Sequence, residues 1–393
     1  MRIVKKIISD VEKGGDKSVA KYTLLFDKIK IKRFRVSAKE IASAYDLIDK
    51  GALEALKKAA RNIKEFAIKQ LKQFRNFEYT KECITIGQRI VPIDRAGCYV
   101  PGGNYPLPSS ALMSVIPAKV AGVKEVIVCS PKIKPATIVA ADIAGADKIF
   151  KIGGAQAIAA MALGTKQIPK VDKIVGPGNI YVNDAKKEVF GKVGIDFIAG
   201  PSEVLIIADD TANPELIAAD LLAQAEHDIE AVPMLITTSK KVAKETIIEL
   251  KRQLAKLKTR DIARKSLKNG KIIIARTINE AINIANKEAP EHLELQIKEP
   301  KKYISKLRNY GSLFLGDFSA EVFGDYCTGP NHILPTGKAS RYTGGLSVKD
   351  FIKIQTYQSV TKKGAKKLIP IASKLATVEG LYAHKNASDI RKK

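Results

Sequence analysis

Between residues 124 and 316, short apolar runs alternate with segments of helical pattern, and few architectures accept that rhythm. The first series is KEVIVCS (124–130), DKIFKIGG (147–154), DKIVGPGN (172–179), DFIAGP (196–201) and EVLIIAD (203–209). The second is VPMLITTS (232–239), KIIIAR (271–276), HLELQI (292–297) and GSLFLG (311–316). Helical stretches such as PATIVAADIAG (135–145) and AQAIAAMALG (155–164) fall between them. Strands that alternate with helices build βαβ units, and βαβ units build mainly parallel sheets. The fold class is therefore α/β, and two series of similar rhythm predict two related lobes.

The segment before this region is helical. VSAKEIASAYDLIDKGALEALKKAARNIKEFAIKQL (36–71) opens with a capping box, Ser37 and Glu40. The tail after Pro370 returns to a helical pattern. No run of about 18 apolar residues is present, so no membrane span is expected. The first residues, MRIVKKIISDVEKGGDK, have neither an apolar core nor a small-residue cleavage site, so no secretory signal is expected. Cys83, Cys98, Cys129 and Cys327 form no CxxC pair, which argues against a zinc ribbon and for a reducing cytoplasm. The formal net charge of +26 raises the question of a nucleic-acid partner. The lysines are spread at helical spacing, as in KKAARNIKEFAIKQLK, without an aromatic-plus-basic cluster. A lysine-rich solvated surface is the plainer reading, and no nucleic-acid partner is expected.

The chain has four histidines: His227, His292, His332 and His384. Asn213 and Pro214 start a helix that runs into LLAQAEHD, where Gln224 and His227, three apart, share a face. Such a pair can hold a metal ion, or the histidine can simply complement the helix dipole. His332 and Asp325 lie in GDYCTGPNHILPTG, a Gly/Pro-rich loop too long for a turn. Cys327 in that loop could serve as an aldehyde-processing nucleophile or be a bystander. His384 and Glu379 lie in TVEGLYAHKNA, five positions apart, and an ideal helix does not align them. In EAPEHLEL (288–295), Pro290 ends a helix opened by Thr277 and Glu280 and is expected to extend Ala289. The alternation then puts Leu293, Leu295 and Ile297 on one face and His292, Glu294 and Gln296 on the other. Locally, Glu291–His292 reads equally as an acid/base pair or as a polar strand edge.

Three glycine-rich turns, YVPGGN (99–104), IGGAQA (152–157) and VGPGNIYV (175–182), suit close approach of backbone to a phosphate. No GxGxxG follows a strand, so a dinucleotide is suggested without the usual fingerprint.

From about Arg95 onward the chain resembles the histidinol dehydrogenase family. The strings that carry the resemblance are YVPGGNYPLPSSALMSVIPAKVAGV, KIGGAQAIAAMALGT, IPKVDKIVGPGNIYV, GIDFIAGPSEVLIIAD, ADLLAQAEHD, APEHLEL, GDYCTGPNHILPTG and VEGLYAHKNA, which contain all four histidines. The resemblance implies a zinc- and NAD-dependent oxidation of L-histidinol to L-histidine by way of L-histidinal, in histidine biosynthesis. It assigns Gln224, His227, Asp325 and His384 to one Zn2+ per subunit. It puts Ser202, Gln224, His227, His292, Asp325, Glu379 and His384 around the substrate, and Tyr99, Gln156 and Asn179 at NAD. Glu291 and His292 become the catalytic acid/base pair, and Cys327 receives no role. The implied architecture is two Rossmann-like lobes of the aldehyde dehydrogenase type, with a helical N-terminal segment and a small C-terminal extension. Its parts are an arm at 1–20, a first lobe at 21–98 and 202–345, an NAD-contacting lobe at 99–201, and a dimer extension at 346–393. A cytoplasmic homodimer with shared active sites is implied, with His384 and Glu379 completing the partner's site. The N-terminal region is short for the family and poorly matched. Two other readings compete: an aldehyde dehydrogenase relative using Cys327, and a basic nucleic-acid-binding protein.

Overall fold

A computed structural model describes residues 2–102 and 105–392. Gly103 and Asn104 of the YVPGGN turn lie outside the described residues. The contacts define two compact units. One holds the residues up to Lys69 together with Ile93–Phe351, and the other holds Gln70–Pro92 together with the residues from Ile352 on.

Four helices come first: α1 (Arg2–Gly14), α2 (Asp16–Asp27), α3 (Ala38–Asp46) and α4 (Lys50–Leu71). Two strands of the smaller unit follow, β1 (Phe77–Lys81) and β2 (Ile84–Pro92). The first α/β series is β3 (Arg95–Tyr99), α5 (Pro108–Ala121), β4 (Glu125–Cys129), α6 (Pro135–Ile143), β5 (Lys148–Phe150), α7 (Gly154–Leu163), β6 (Lys173–Val175), α8 (Ile180–Val189) and β7 (Gly194–Ile195). The second begins β8 (Glu203–Ala208), α9 (Pro214–Ala225), β9 (Val232–Thr237), α10 (Lys240–Leu254), α11 (Arg260–Ser266) and β10 (Lys271–Ile274). It continues with α12 (Ile278–Glu288), β11 (His292–Gln296), β12 (Ser312–Leu315) and α13 (Glu321–Tyr326). The chain closes with β13 (Ile352–Val360), α14 (Lys362–Val378) and α15 (Tyr382–Asp389).

Both series form parallel five-stranded sheets of one topology, ordered β5-β4-β3-β6-β7 and β10-β9-β8-β11-β12. The fold class is thus mixed α/β with two parallel sheets. In each sheet the chain builds outward from its first strand, then crosses to that strand's other side. The reversals fall between β3 and β6 and between β8 and β11. A reversal leaves a crevice beyond the carboxyl ends of the two strands, the usual ligand site of such sheets.

The smaller unit is a three-stranded antiparallel sheet, β1-β2-β13, with α14 and α15. Its central pairing runs from Ile352 opposite Pro92 to Val360 opposite Ile84.

Packing explains the N-terminal helices. Val4, Ile7 and Val11 of α1 recur on one face, and Val19 and Tyr22 extend that face into α2. They share a buried cluster with Ile158 and Met161 of α7 and Val182 and Val189 of α8. These helices therefore cover the first sheet's own helices. In the second sheet Leu205, Ile236, Leu293 and Leu295 pack on one face, and Val204, Ile206 and Leu235 on the other.

Four local expectations are corrected. The helix expected through 36–71 is two helices, because the Asp49 carboxylate accepts the Ala52 N–H (2.9 Å) and starts α4 afresh. DFIAGP is not a strand: β7 is confined to Gly194–Ile195, and the Asp196 side chain just beyond it accepts the Gly176 N–H (2.8 Å). The tail helix begins at Lys362, capped by Thr361, and runs through Pro370. Ala289 is left-handed (φ 52°, ψ 57°) rather than extended, since its N–H closes α12 on the Ala285 carbonyl (2.8 Å). The Ser340 hydroxyl then secures the Ala289 carbonyl (2.6 Å).

Burial of Ile7 at 2 % exposure makes α1 part of the core. Ile7→Ala is expected to lower the stability of the folded protein by about 2–5 kcal/mol. Denaturant unfolding checks this, and a loss below about 0.5 kcal/mol would mean α1 is dispensable to the core.

Candidate active site

The entrance of β11 sets the centre. The strand lies between β8 and β12, with His292 opposite Val204 and Ser312, so both its edges are paired, and every residue in it is buried. Leu293 and Leu295 fill the apolar core, and His292, Glu294 and Gln296 line the other face, also buried. The polar face is therefore an enclosed layer of titratable groups.

Glu291 and His292 are each anchored to β8. The Glu203 N–H donates to Glu291 Oε2 (2.9 Å), and the Glu203 carbonyl accepts from His292 Nδ1 (3.1 Å). A carbonyl only accepts, so Nδ1 carries the hydrogen and Nε2 is the free position of the neutral ring. His292 Nε2 is buried without a hydrogen-bond partner, and Asp325 Oδ1 lies 3.6 Å away. Ser202, at the start of β8, directs its carbonyl to the Val232 N–H (2.9 Å).

The helix α13 brings two acids to this ring. Glu321 and Asp325, four apart, share its inner face, with Glu321 Oε1 3.6 Å from His292 Nδ1. The Glu321 N–H donates to Glu294 Oε1 (3.0 Å), which fixes the start of the helix to β11. Asp325 is further tied through its carbonyl, which accepts from His332 Nδ1 (2.7 Å), while Ser110 donates to His332 Nε2 (3.3 Å). Burial lowers the ordinary value of His332.

Burial pushes Glu291 up to about 7, against the opposing pull of His292. Burial disfavours the His292 cation, but Glu321, Glu291 and Asp325 outweigh it and raise His292 well above its usual range. Burial likewise raises Glu321, helped by Asp325 and Glu294. Burial resists the charge on Asp325, yet the histidines facing it bring it down to about 2. Below this layer Gln296 donates to both Asp220 (2.9 Å) and Glu294 (2.9 Å). Burial lifts Asp220 to about 6 and Glu294 to about 8, so the two acids hold a shared proton near neutrality.

His227, Glu321 and Asp325 offer three ligand atoms that all lie within 4.8 Å of one another. Nitrogen and carboxylate donors at this spacing suit a divalent transition metal, zinc included. Helix α9 ends at Ala225, so His227 sits in the turn beyond it rather than within the helix, its N–H on the Gln224 carbonyl (3.3 Å). Gln224 is fully buried, and with its amide turned so that the nitrogen faces the acids it donates to Glu321 Oε1 (3.0 Å) and Oε2 (3.3 Å). Sequence reasoning missed Glu321, although the Glu321/Asp325 spacing in SAEVFGDY is itself a helical signal.

Tyr99, Gln156 and Asn179 gather at the carboxyl end of the first sheet. Tyr99 ends β3, and its hydroxyl accepts the Gly154 N–H (3.1 Å) at the start of α7. Gln156 is buried on α7 with Oε1 unpartnered. Asn179 caps α8, its side chain accepting from the Tyr181 and Val182 N–H groups (3.1 Å each). Gly176 leaves β6 at φ +116°, so close to β3 that a Cβ there would stand 2.1 Å from the Tyr99 carbonyl oxygen. This is the β3/β6 reversal, where a crevice for a ligand is expected.

Glu379 and His384 belong to the smaller unit, at the end of α14 and on α15, both exposed. Cys327 is exposed at the end of α13 and is not one of the three clustered cation donors.

A parallel α/β protein with a buried acid–imidazole centre beside cation donors has the parts of a dehydrogenase. The family model described as histidinol dehydrogenase matches residues 1–392. A histidinol dehydrogenase of Methanococcus maripaludis is 49% identical over 388 residues, covering 98% of this chain and 91% of its own. One from Bacillus cereus is 48% identical over 395 residues, covering 99% and 92%. The crystal structure of the Elizabethkingia anophelis histidinol dehydrogenase superposes with a TM-score of 0.95 at 42% identity, covering 99% of this chain and 91% of that one. The chain belongs to the histidinol dehydrogenase family and is an oxidoreductase acting on an alcohol or aldehyde.

Asp325 is one of the charges that raise His292 above its usual range. In metal-free protein, Asp325→Asn is expected to lower the pH at which His292 loses its proton. Proton NMR of the His292 ring against pH checks this, and an unchanged midpoint contradicts the arrangement.

Proposed function

We propose that this protein oxidises L-histidinol to L-histidine through L-histidinal, in two NAD-dependent steps at a zinc site. The observation that carries the reading is His292: Nδ1 fixed on Glu203, Nε2 free, and three cation donors beside it. Gln224, His227 and Asp325 are the proposed ligands, with His384 of the partner subunit as the fourth. Glu321 supports them by holding the Gln224 amide. When bound, zinc would anchor the substrate's imidazole and amino nitrogens, and NAD would accept a hydride in each step.

The protein's own groups handle protons and position. In the first oxidation His292 Nε2 takes the hydroxyl proton as hydride leaves the same carbon. In the second, Glu291 takes a proton from the water that adds to the aldehyde. A carboxyl held near 7 exists in both forms at neutral pH, which suits that task. His292 then takes the hydroxyl proton of the hydrate. Two bases on adjacent residues serve both steps in one place, so no aldehyde need leave. Ser202, Gln224, His227, Asp325 and the partner subunit's Glu379 complete the proposed substrate site, and Tyr99, Gln156 and Asn179 the NAD site.

A homodimer is part of the proposal. On α14, Ile371, Leu375 and Val378 form an exposed apolar stripe at helical spacing, extended by Leu381 and Tyr382. An apolar face of that kind marks an interface. The cytoplasm is the proposed compartment, and no helix among the described residues is long and apolar enough to cross a membrane.

Histidinol is expected to yield about two NADH per molecule oxidised, with the reaction lost on chelation and restored by zinc. Absence of NADH formation from histidinol would sink the reading. Glu291 gains its base form as pH rises through about 7, so oxidation of histidinal should accelerate over that range. Glu291→Gln should remove that rise and slow the aldehyde step more than the alcohol step; a wild-type pH profile would reject its role. Mixing inactive His384→Asn and His292→Asn chains should restore activity through hybrid dimers, and a mixture as inactive as its components would reject a shared site.

A further inference from the structure

A buried ion pair lies against the loop that joins β6 to α8. Lys186 of α8 is fully buried and pairs with Asp196, itself buried, in the segment after β7. The two side chains grip one residue from both sides. Asp196 Oδ2 accepts the Gly176 N–H (2.8 Å), and Lys186 Nζ donates to the Gly176 carbonyl (3.0 Å). One turn earlier on α8, the Asn183 side chain donates to the Gly178 carbonyl (2.9 Å) and the Ala199 carbonyl (2.9 Å). The loop is thus clasped at Gly176 and Gly178 between α8 and the segment after β7.

Burial pushes the neighbouring Cys98 thiol up to about 12, so it stays neutral beside Asp196. The Phe197 ring centre lies 6.0 Å from Nζ and adds a weak attraction. Neither Lys186 nor Asp196 belongs to the acid–imidazole centre. A buried ion pair is weak evidence for stability, because an apolar pair of similar volume often serves as well. What an apolar pair cannot do is hold both polar groups of one peptide residue. Gly176 is also the residue pressed against the Tyr99 carbonyl, where a side chain would collide.

We propose that Lys186 and Asp196 are positioning residues for the dinucleotide: they hold the 176–179 loop, with Asn179 at its end, in the shape that NAD binds. The inference rests on the NAD reading given above. A loop fixed in advance loses less freedom when its ligand arrives, and that saving is affinity.

The test is NAD binding to the zinc-loaded protein by titration calorimetry, paired with amide hydrogen exchange across 176–179. Lys186→Met/Asp196→Asn leaves no unpaired charge, keeps an acceptor for the Gly176 N–H and removes the donor to its carbonyl. It is expected to weaken NAD about tenfold and to speed exchange in the loop, with zinc content unchanged. Lys186→Gln/Asp196→Asn returns an uncharged donor and should recover part of the loss, which a merely space-filling role would not predict. A dissociation constant within about twofold of wild type, with equal loop protection, overturns the proposal while the NAD reading stands. If the wild-type protein itself does not bind NAD, the cofactor reading falls and this inference with it.

Discussion

The pairing of β11 with β8 is the constraint on which the centre of the larger unit depends. Its register puts Glu203 beside Glu291 and His292, so one residue supplies the N–H that holds the carboxylate and the carbonyl that holds the ring. A slip of one residue would exchange the two faces of β11, sending the leucines into the polar layer and His292 into the core. The apolar packing of Leu293 and Leu295 therefore fixes chemistry as well as stability. The same strand fixes α13 through Glu294, and α13 carries Glu321 and Asp325. Core, ring and acids are one connected arrangement.

Enclosing so many acids is costly unless charge is removed or answered. The deeper pair, Asp220 and Glu294, reduces its charge by holding a proton, with Gln296 donating to both. The outer group, Glu291, Glu321 and Asp325, is answered by His292 in the protein alone. Two of those carboxylates, Glu321 and Asp325, are also two of the three donors converging on a cation site. A bound divalent ion would compete with the imidazolium for them and favour the neutral ring that base chemistry requires.

The parallel class was legible because its strands are apolar runs separated by helices, but sheet membership was not: EVLIIAD, counted with the first series, is the centre of the second sheet, and Arg95–Tyr99, the centre of the first, went unread. The two faces of HLELQI were legible from alternation alone. The packing of α1 and α2 on α7 and α8 was not, since amphipathic spacing says that a face is buried but not against what. Strand β13 escaped because IKIQTYQSV carries polar residues along an exposed strand, and its partner β2 is distant in sequence. Pro290 announced a helix end, but its rule for the preceding residue gave an extended Ala289, whereas the N–H of that residue closes α12 on Ala285 and its carbonyl meets Ser340, which is distant in sequence. At the site, local pattern left the Glu291–His292 pair undecided, and the resemblance gave its proposed roles. Glu321 and the Lys186–Asp196 pair stayed hidden because a lone Glu or Lys in a mixed segment reads as surface.

Two sheets of identical strand order gather polar groups at opposite ends. The first offers the carboxyl ends of β3 and β6, whereas the second gathers its acids and imidazole at the amino ends of β8 and β11. At the second sheet's own carboxyl end Asp209 instead bonds the Lys298 N–H (2.8 Å) and the Thr211 hydroxyl (2.6 Å). Repetition of one topology has therefore not produced two equivalent sites. Each is held by its own contacts: Lys186, Asp196 and Asn183 fix the 176–179 loop, whereas Glu203 fixes Glu291 and His292.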